Sequence, residues 1–195
     1  MTEVPSDAVV VGMTGASGAP IALAVVRALH AAGVPVHLIA SEAGQVVLRE
    51  ECQLTIDDLR AQVTTVLGEK EFTARVASGS TPTRGMVIVP CSSNTLAKLA
   101  HGMADTLITR AAHVHLKERR PLILVPRETP LSVFTLRNMT ALTEAGATML
   151  IASPPYYLRA KTVDELVGYL AGKVLDHLHV PHTLYRGWRS DEGSV

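Results

Sequence analysis

Residues 9–33 read VVVGMTGASGAPIALAVVRALHAAG, and this stretch decides the fold class. A run of valines meets a glycine-rich turn, and apolar residues at helical spacing follow, with Pro20 placed for a first helical turn. The same alternation of short apolar runs and helical patterns continues to about residue 180. It predicts one α/β domain, a Rossmann-like three-layer sandwich with a mostly parallel sheet, whose core spans about 8–180 and whose tail is 181–195.

The predicted elements place four distinctive loops at one edge of that sheet. The strands are predicted at 8–13, 36–40, 72–77, 86–89, 121–125 and 147–152, and the helices at 20–32, 42–51, 56–67, 105–118, 133–145 and 163–179, with another helix after 90–95. The loops TGASGA, SEAG, PCSSNT and PRETPLS each follow a predicted strand. Ligands of parallel sheets bind beyond the carboxyl ends of the strands, so we expect these loops to converge on one site.

Composition excludes several classes of protein. Apolar residues make up 47% of the 195 residues and charged residues 18%, which is not a disordered composition. A formal net charge of zero gives no general attraction to nucleic acid or to an anionic membrane. The first seven residues lack a positive leader, and no apolar run approaches the roughly 18 residues of a membrane span. Two cysteines fit a reducing compartment, so we expect a cytoplasmic protein.

The glycine-rich turn permits several interpretations. Gly12, Gly15 and Gly18 are spaced G-x-x-G-x-x-G, which lacks the close glycine pair of dinucleotide-binding folds. The stretch nearly matches a nucleophile elbow, but Ala19 stands at its last position. A loop that opens a helix suits a phosphate or another anion. The plainer alternative is a tight turn in which Ser17 caps the helix.

A second loop, PCSSNT at 90–95, repeats the theme. Ser92, Ser93 and Thr95 offer hydroxyl groups beside another predicted helix start. Two such loops at one sheet edge can surround a phosphate monoester, although ordinary helix capping explains the hydroxyls equally well. The sequence contains no G-x-x-x-x-G-K-[ST] motif, which argues against a nucleotide triphosphatase.

Charged residues in the second half of the chain add candidates for anion binding. Arg110 and Lys117 are seven residues apart and so lie close to one face of a predicted helix. Arg127 and Glu128 directly follow a fully apolar strand. An arginine there suits a phosphate, and the neighbouring carboxylate could transfer protons.

With these motifs, the chain resembles the flavin prenyltransferases of the UbiX type over roughly residues 9–188. The resemblance rests on TGASGA, on residues 90–132 from PCSSNT to RETPLS, on NMTALTEAGATMLIASPPYY, and on KTVDELVGYLAGKVLD. It implies a flavoprotein that joins a dimethylallyl group from dimethylallyl monophosphate to N5 and C6 of reduced FMN. It further implies that a UbiD-type decarboxylase receives the prenylated FMN, that the chain forms a homo-oligomer, typically a dodecamer, and that no metal ion takes part.

The resemblance also implies roles for individual residues. The residues implied for FMN are Gly15, Ala16, Ser17, Ser41, Ser92, Ser93, Asn94, Thr95 and Arg127. Those implied for the prenyl phosphate are Arg110, Lys117, Glu128, Tyr157 and Lys173, with Trp188 expected to cover a neighbouring subunit's site. Ser17 and Glu51 match positions implicated in flavin orientation and proton handling, and the proton acceptor is Glu51, Glu128 or the phosphate itself.

Two departures keep alternatives open. Lys173 stands where the family often has arginine, which keeps the charge but loses a bidentate geometry. The SSNT loop is partly similar to that of flavin-dependent cysteine decarboxylases, which makes that reaction the main alternative. Against it, no histidine occurs between His37 and His101, where that group has its active-site histidine. A second alternative is an FMN-binding paralogue without catalytic activity.

Overall fold

Six parallel strands form the centre of the structure, a computed structural model that describes residues 5–186. The strands are β1 (Val9–Met13), β2 (Val36–Ala40), β3 (Thr65–Leu67), β4 (Gly85–Cys91), β5 (Leu122–Pro126) and β6 (Thr148–Met149). The helices are α1 (Ala19–Ala31), α2 (Glu42–Cys52), α3 (Ser93–Ala100), α4 (Leu107–Lys117), α5 (Val133–Glu144) and α6 (Val163–His177).

The strand order is β3-β2-β1-β4-β5-β6, and every pairing between these strands is parallel. From β1 the chain builds the sheet in one direction through β2 and β3. It then returns to the other side of β1 and builds outward through β4, β5 and β6. The order therefore reverses between β1 and β4, and a crevice opens at such a point beyond the carboxyl ends of the two strands.

Two apolar layers cover the two faces of the sheet. Alternate residues of β1 enter different layers, because successive side chains of a strand point to opposite faces. Val9 and Val11 pack with helices α1, α2 and α6, whereas Val10 packs with α3, α4 and α5. The three-layer α/β sandwich predicted from the sequence is confirmed, and the sheet is parallel throughout the described pairs.

Two predicted elements are wrong. The helix predicted at 56–67 is a 3-10 turn at Asp57–Gln62 followed by strand β3, which pairs with β2. The run Val63–Val66 contains β-branched residues that favour a strand once a partner is available. The strand predicted at 72–77 does not pair with the sheet. It ends in a 3-10 turn at Arg75–Ala77, and Phe72 is half exposed.

Candidate active site

Thr14 joins the two loops that flank the crevice between β1 and β4. Its buried hydroxyl donates to the carbonyl oxygen of Pro90 at 2.8 Å and accepts the backbone N–H of Ser92 at 2.8 Å. The backbone N–H of Thr14 also donates to the Pro90 carbonyl, at 3.2 Å. These bonds fix the start of the glycine-rich turn against the start of α3. Sequence reasoning missed Thr14, because its partners lie more than seventy residues away.

The glycines of the turn have separate structural reasons. A Cβ atom on Gly15 would lie 2.5 Å from the Cβ atom of Ala43, so only glycine lets the turn approach the first turn of α2. Gly18 has φ +128°, a conformation that side chains rarely adopt, and it holds the cap position of α1. The interpretation of Ser17 as the helix cap is therefore wrong. Ser17 is exposed on the turn and makes no capping bond to α1.

Glu51 supplies the missing cap from the last turn of α2. Its carboxylate oxygen Oε2 accepts the backbone N–H groups of Gly18 and Ala19, each at 2.9 Å. A carboxylate is favourable there because the N-terminus of a helix carries partial positive charge. The start of α1, where the sequence suggested a place for a bound anion, thus already bonds an anion of the chain itself. Glu51 lies directly beside the turn that carries Ser17.

The start of α2 is bonded in a similar way. Ser41 caps the helix, and its hydroxyl oxygen accepts the backbone N–H of Gly44 at 3.0 Å. The carboxylate of Glu69 accepts the backbone N–H of Glu42 at 3.2 Å. The Ser41 position predicted from the sequence is therefore at the sheet edge, next to an acidic side chain that the sequence did not point to.

The start of α3 differs from the other two. Its cap is the hydroxyl of Ser92, which accepts the backbone N–H of Thr95 at 3.2 Å and bonds the Thr95 hydroxyl at 2.9 Å. The described residues place no carboxylate on its backbone N–H groups, and the first N–H groups of a helix have no carbonyl partner within it. Of the helix starts after β1, β2 and β4, this one is the best suited to an external phosphate.

A cavity of about 390 Å³ lies between these loops. Its lining includes the predicted residues Gly15, Ser41, Ser92, Asn94 and Thr95, together with Thr14, Glu42, Ala43, Glu69, Lys98, Thr106, Ile108 and Thr109. Lys98 is a cation that the sequence analysis missed, and it forms an ion pair with Asp105 at 2.6 Å. That partner lowers the pKa of Asp105. Lys98 could have been found from the sequence, because it lies three residues after Thr95 on α3 and residues at this spacing share a helix face.

Arg127 and Glu128 are exposed on the loop that follows β5. Glu128 lies close to the α3 start, since the hydroxyl of Ser93 donates to its carboxylate oxygen Oε2 at 3.4 Å. Its other oxygen accepts the backbone N–H of Thr129 at 3.1 Å. The loop after β5 thus brings a carboxylate to the same sheet edge as the PCSSNT loop, as the sequence analysis expected.

Tyr157 and Lys173 are connected through two other tyrosines. Tyr169 shares a side-chain hydrogen bond with Tyr157, and burial together with this bond raises the pKa of Tyr169. The ring of Tyr169 lies 4.8 Å from that of Tyr185, measured between centroids. The hydroxyl of Tyr185 is 3.4 Å from the ammonium nitrogen of Lys173. Two predicted substrate residues that are 16 positions apart in sequence therefore belong to one cluster.

Of the two predicted cations on α4, Lys117 lies at the opposite edge of the sheet from Glu128. Lys117 ends α4 and lies against Gly79, in the loop before β4, which is the amino edge of the sheet. Glu128 lies beyond the carboxyl end of β5, and five strand residues at about 3.3 Å each separate the two edges. The guanidinium of Arg110 donates to the carbonyl oxygen of Ala77 at 3.4 Å. A helix that connects two parallel strands runs antiparallel to them, so Lys117, at the end of α4, lies near the start of β5.

Four further points concern other parts of the chain. Trp188 lies outside the described residues. Cys91 is buried in the core at the end of β4, and burial raises the pKa of its thiol. Within residues 5–186, no three histidine, cysteine or acidic side chains are grouped closely enough to hold a metal ion. None of the helices described has the length and apolarity needed to cross a membrane.

Comparison with known proteins gives matches over nearly the whole chain. The model of the family described as Flavoprotein matches residues 2–175. The flavin prenyltransferase UbiX of Deinococcus radiodurans is 46% identical, over 98% of this chain and 100% of the relative. The crystal structure of AnUbiX (PadA1) in complex with FMN and dimethylallyl pyrophosphate has a TM-score of 0.92 at 38% identity, and the match covers 94% of this chain and 98% of that one.

A third similar protein forms a dodecamer. The dodecameric FMN-dependent Ubix-like decarboxylase from Escherichia coli O157:H7 has a TM-score of 0.90 at 39% identity. That match covers 93% of this chain and 99% of the relative. With this identity over nearly its whole length, the chain belongs to the Flavoprotein family and, within it, to the flavin prenyltransferases of the UbiX type.

Proposed function

We propose that the protein transfers the dimethylallyl group of dimethylallyl monophosphate to N5 and C6 of reduced FMN. The observation that carries this proposal is the α3 start, which lines the cavity together with Gly15 and Ser41 and whose backbone N–H groups bond no carboxylate of the described residues. AnUbiX, which shares this fold at a TM-score of 0.92, binds FMN and a dimethylallyl ester together. The relatives favour prenyl transfer over the cysteine-type decarboxylase and over an inactive paralogue.

The residues of the cavity fit FMN. Gly15 lets the turn lie against Ala43 at the edge of the cavity, and the cavity is also lined by the hydroxyl-bearing residues Ser41, Ser92 and Thr95. We assign the FMN phosphate to the start of α3, where backbone N–H groups and the partial positive charge of the helix favour an anion. Arg127 on the neighbouring loop supplies a full positive charge. The turn Gly15–Ser17, held by Glu51 through Gly18, then faces the flavin.

We assign the prenyl ester to a second subsite, formed by Glu128, Tyr157 and Lys173, none of which lines the 390 Å³ cavity. Reduced FMN supplies the nucleophilic N5 and C6 atoms, and the ester loses its phosphate as the carbon–oxygen bond breaks. Lys173 stabilises the departing phosphate as a fixed cation, and Tyr157 donates a hydrogen bond to it. Glu128, held 3.4 Å from the Ser93 hydroxyl, is placed to accept the proton that ring closure releases. Glu51 is the other candidate acceptor, and its present bonds to two N–H groups favour a positioning role.

We further propose that the protein works as a homo-oligomer, with a dodecamer as the expected form. Lys117 lies at the opposite edge of the sheet from Glu128 in its own chain, so we infer that it reaches the prenyl phosphate from a neighbouring copy. Val133, Phe134 and Leu136 at the start of α5 are exposed by 53%, 72% and 49%, and burial of such side chains against another copy would be favourable. The related protein of Escherichia coli O157:H7 is dodecameric.

The direct test is anaerobic incubation of the protein with reduced FMN and dimethylallyl monophosphate, followed by mass spectrometry of the flavin. We expect the flavin to gain one dimethylallyl unit, also in the presence of EDTA, since protein cations hold the phosphate. The diphosphate ester, run in parallel, identifies the preferred donor. An unchanged flavin mass with both esters would overturn the proposal, and activity that requires added Mg²⁺ would contradict the assignment of the phosphate to side-chain cations.

Variants separate the two subsites. Arg127→Ala should weaken FMN binding itself, because a phosphate-paired arginine contributes to ground-state binding. Tyr157→Phe should keep FMN affinity and slow prenylation by about 10²-fold, the scale of one lost charge-stabilising donor. Tyr156→Phe is the matched control, since Tyr156 is 99% exposed next to it. Loss of FMN by Tyr157→Phe, with an unchanged rate at saturating FMN, would contradict this division.

The product defines the remaining expectations. Prenylated FMN is of use only to an enzyme that accepts it as cofactor, and we propose a UbiD-type decarboxylase as recipient. We place the protein in the cytoplasm, in keeping with the free thiols of Cys52 and Cys91. Transfer of the product to an apo-decarboxylase, measured as a gain of decarboxylase activity in the mixture, tests the first of these expectations.

A further inference from the structure

The ammonium group of Lys173 is held by two partners. Its nitrogen lies 2.9 Å from the carboxylate oxygen Oδ2 of Asp176 and 3.4 Å from the hydroxyl oxygen of Tyr185. The Tyr185 hydroxyl donates to the same oxygen of Asp176. An ammonium group has three N–H donors, and these two contacts leave a third for a ligand.

His182 completes the surroundings of Asp176. The backbone N–H of Leu184 donates to Nδ1 of His182 at 3.2 Å, so Nδ1 must be an acceptor and the ring proton resides on Nε2. Nε2 then donates to the carboxylate oxygen Oδ1 of Asp176 at 3.0 Å. Burial raises the pKa of Asp176, but the bonds from Tyr185, Lys173 and His182 outweigh it and lower the pKa to about 2. Asp176 is therefore an ionised anchor at neutral pH.

Tyr185 and His182 reach Asp176 because the segment that carries them packs against α6. A Cβ atom on Gly172 would lie 2.5 Å from Cδ1 of Tyr185 and 2.8 Å from Cε1 of His182. Glycine at this position therefore lets both rings lie against the helix. The ring of Tyr169 packs on Tyr185 at 4.8 Å, and the helix-facing side of the segment is thereby fixed.

We propose that Asp176, Tyr185 and His182 are positioning residues that hold the Lys173 ammonium in place for the phosphate of the prenyl ester. The proposal rests on the proposed function, which assigns Lys173 to that phosphate. An unrestrained lysine loses side-chain entropy when a ligand fixes it. A lysine that is already held loses less, so the ester binds more tightly. Because Tyr169 also bonds Tyr157, one cluster positions both groups assigned to the phosphate.

Gly172→Ala is the sharpest test, because it displaces both rings and changes no polar group. Alanine is the better helix former, so the fold should persist. Calorimetry on the protein loaded with oxidised FMN, which cannot react, measures the affinity for dimethylallyl monophosphate. We expect Gly172→Ala and Tyr185→Phe each to weaken it by about fivefold to tenfold, the effect of one net hydrogen bond, while the affinity for FMN stays unchanged.

A rescue experiment distinguishes positioning from general damage. Arginine presents its donors in a rigid plane and depends less on a holder. Lys173→Arg in the Gly172→Ala background should therefore recover most of the lost ester affinity. Failure of this rescue, or unchanged ester affinity in both Gly172→Ala and Tyr185→Phe, would overturn the inference.

Lys173→Ala keeps the inference separate from the proposed function. A large loss of ester affinity in this variant supports the assignment of Lys173 to the phosphate. If that loss occurs and both Gly172→Ala and Tyr185→Phe bind the ester normally, the proposed function stands and the positioning role is refuted. If Lys173→Ala binds the ester as the unmodified protein does, the assignment of Lys173 to the phosphate fails, and the positioning role of Asp176, Tyr185 and His182 fails with it.

Discussion

Gly15→Ala offers a direct test of how closely the glycine-rich turn must approach α2. The added Cβ atom would lie 2.5 Å from the Cβ atom of Ala43, whereas carbon atoms in contact prefer about 3.5–4.0 Å. The turn and the helix must therefore move apart by about 1 Å. Overpacking of this kind costs about 1–3 kcal/mol of the free energy of unfolding. Backbone strain adds nothing, because Gly15 is outside the positive-φ residues.

The same shift should weaken FMN binding, because Gly15 and Ala43 both line the cavity. Loss of one well-aligned hydrogen bond corresponds to about threefold to tenfold in affinity. Urea unfolding of the apo-protein at one fixed protein concentration measures the first effect, and FMN titration calorimetry measures the second. A fixed concentration matters because assembly contributes to apparent stability.

The clash predicts its own rescue. Ala43→Gly removes the opposing Cβ atom, at a cost of up to about 1 kcal/mol for a glycine near a helix start. The double variant Gly15→Ala/Ala43→Gly should therefore be about as stable as Ala43→Gly alone and should bind FMN normally. Gly33→Ala is the control: Gly33 has φ +69° and no atom within 4 Å of an added Cβ. It should lose stability without losing FMN, and without rescue by Ala43→Gly. A double variant as impaired as the sum of its single variants would refute the steric argument.

Three other predictions concern charge and burial. Glu51→Ala should lower the melting temperature more than Glu51→Gln, because only glutamine keeps an acceptor for the start of α1, a contribution of about 1 kcal/mol; equal losses in calorimetry would contradict the cap. A thiol reagent should modify Cys52 before Cys91 in the folded protein, since burial raises the pKa of Cys91 and shields it; peptide mass spectrometry showing Cys91 labelled first would disprove this. The pKa of Asp176 falls to about 2 on folding, so its stabilising effect is full above the unfolded value of about 3.9 and is lost as pH falls towards 2. In urea unfolding, Asp176→Asn should therefore lose less stability than the unmodified protein between about pH 5 and pH 3. An equal loss in both proteins would argue against the network around Asp176.

The sequence alone determined the fold class. Buried parallel strands are continuous apolar runs, and the helices between them carry the helical period, so β1, α1, β2 and β4 were predicted close to their observed bounds. Hydrogen bonds between residues close in sequence could also be predicted from the sequence. Ser41 and Ser92 bond N–H groups only three residues further along the chain. The positions of such caps depend on neighbouring residues and not on the rest of the fold.

Tertiary structure decided the remainder. Strand β3 was predicted as helix because its partner β2 lies about 28 residues earlier, and a strand forms only with a partner. Glu51 bonds the start of a helix, at residues that lie 33 and 32 positions before it, and Thr14 bonds Pro90 and Ser92, which lie 76 and 78 positions after it. Such bonds depend on which elements the strand order places side by side, and no periodicity within a segment encodes that order.

The residues assigned to the prenyl phosphate show the same limit. Their types could be identified from the sequence, and the predicted parallel sheet also places Lys117, at the end of a connecting helix, at the opposite edge from Glu128, but the hydrogen-bond partners of these side chains could not be predicted. Conversely, Gly172 lets the last described segment dock on α6 and brings Tyr185 to Lys173. Residue chemistry is a property of the sequence, whereas the distance between two charged groups is set by the packing of the elements that carry them.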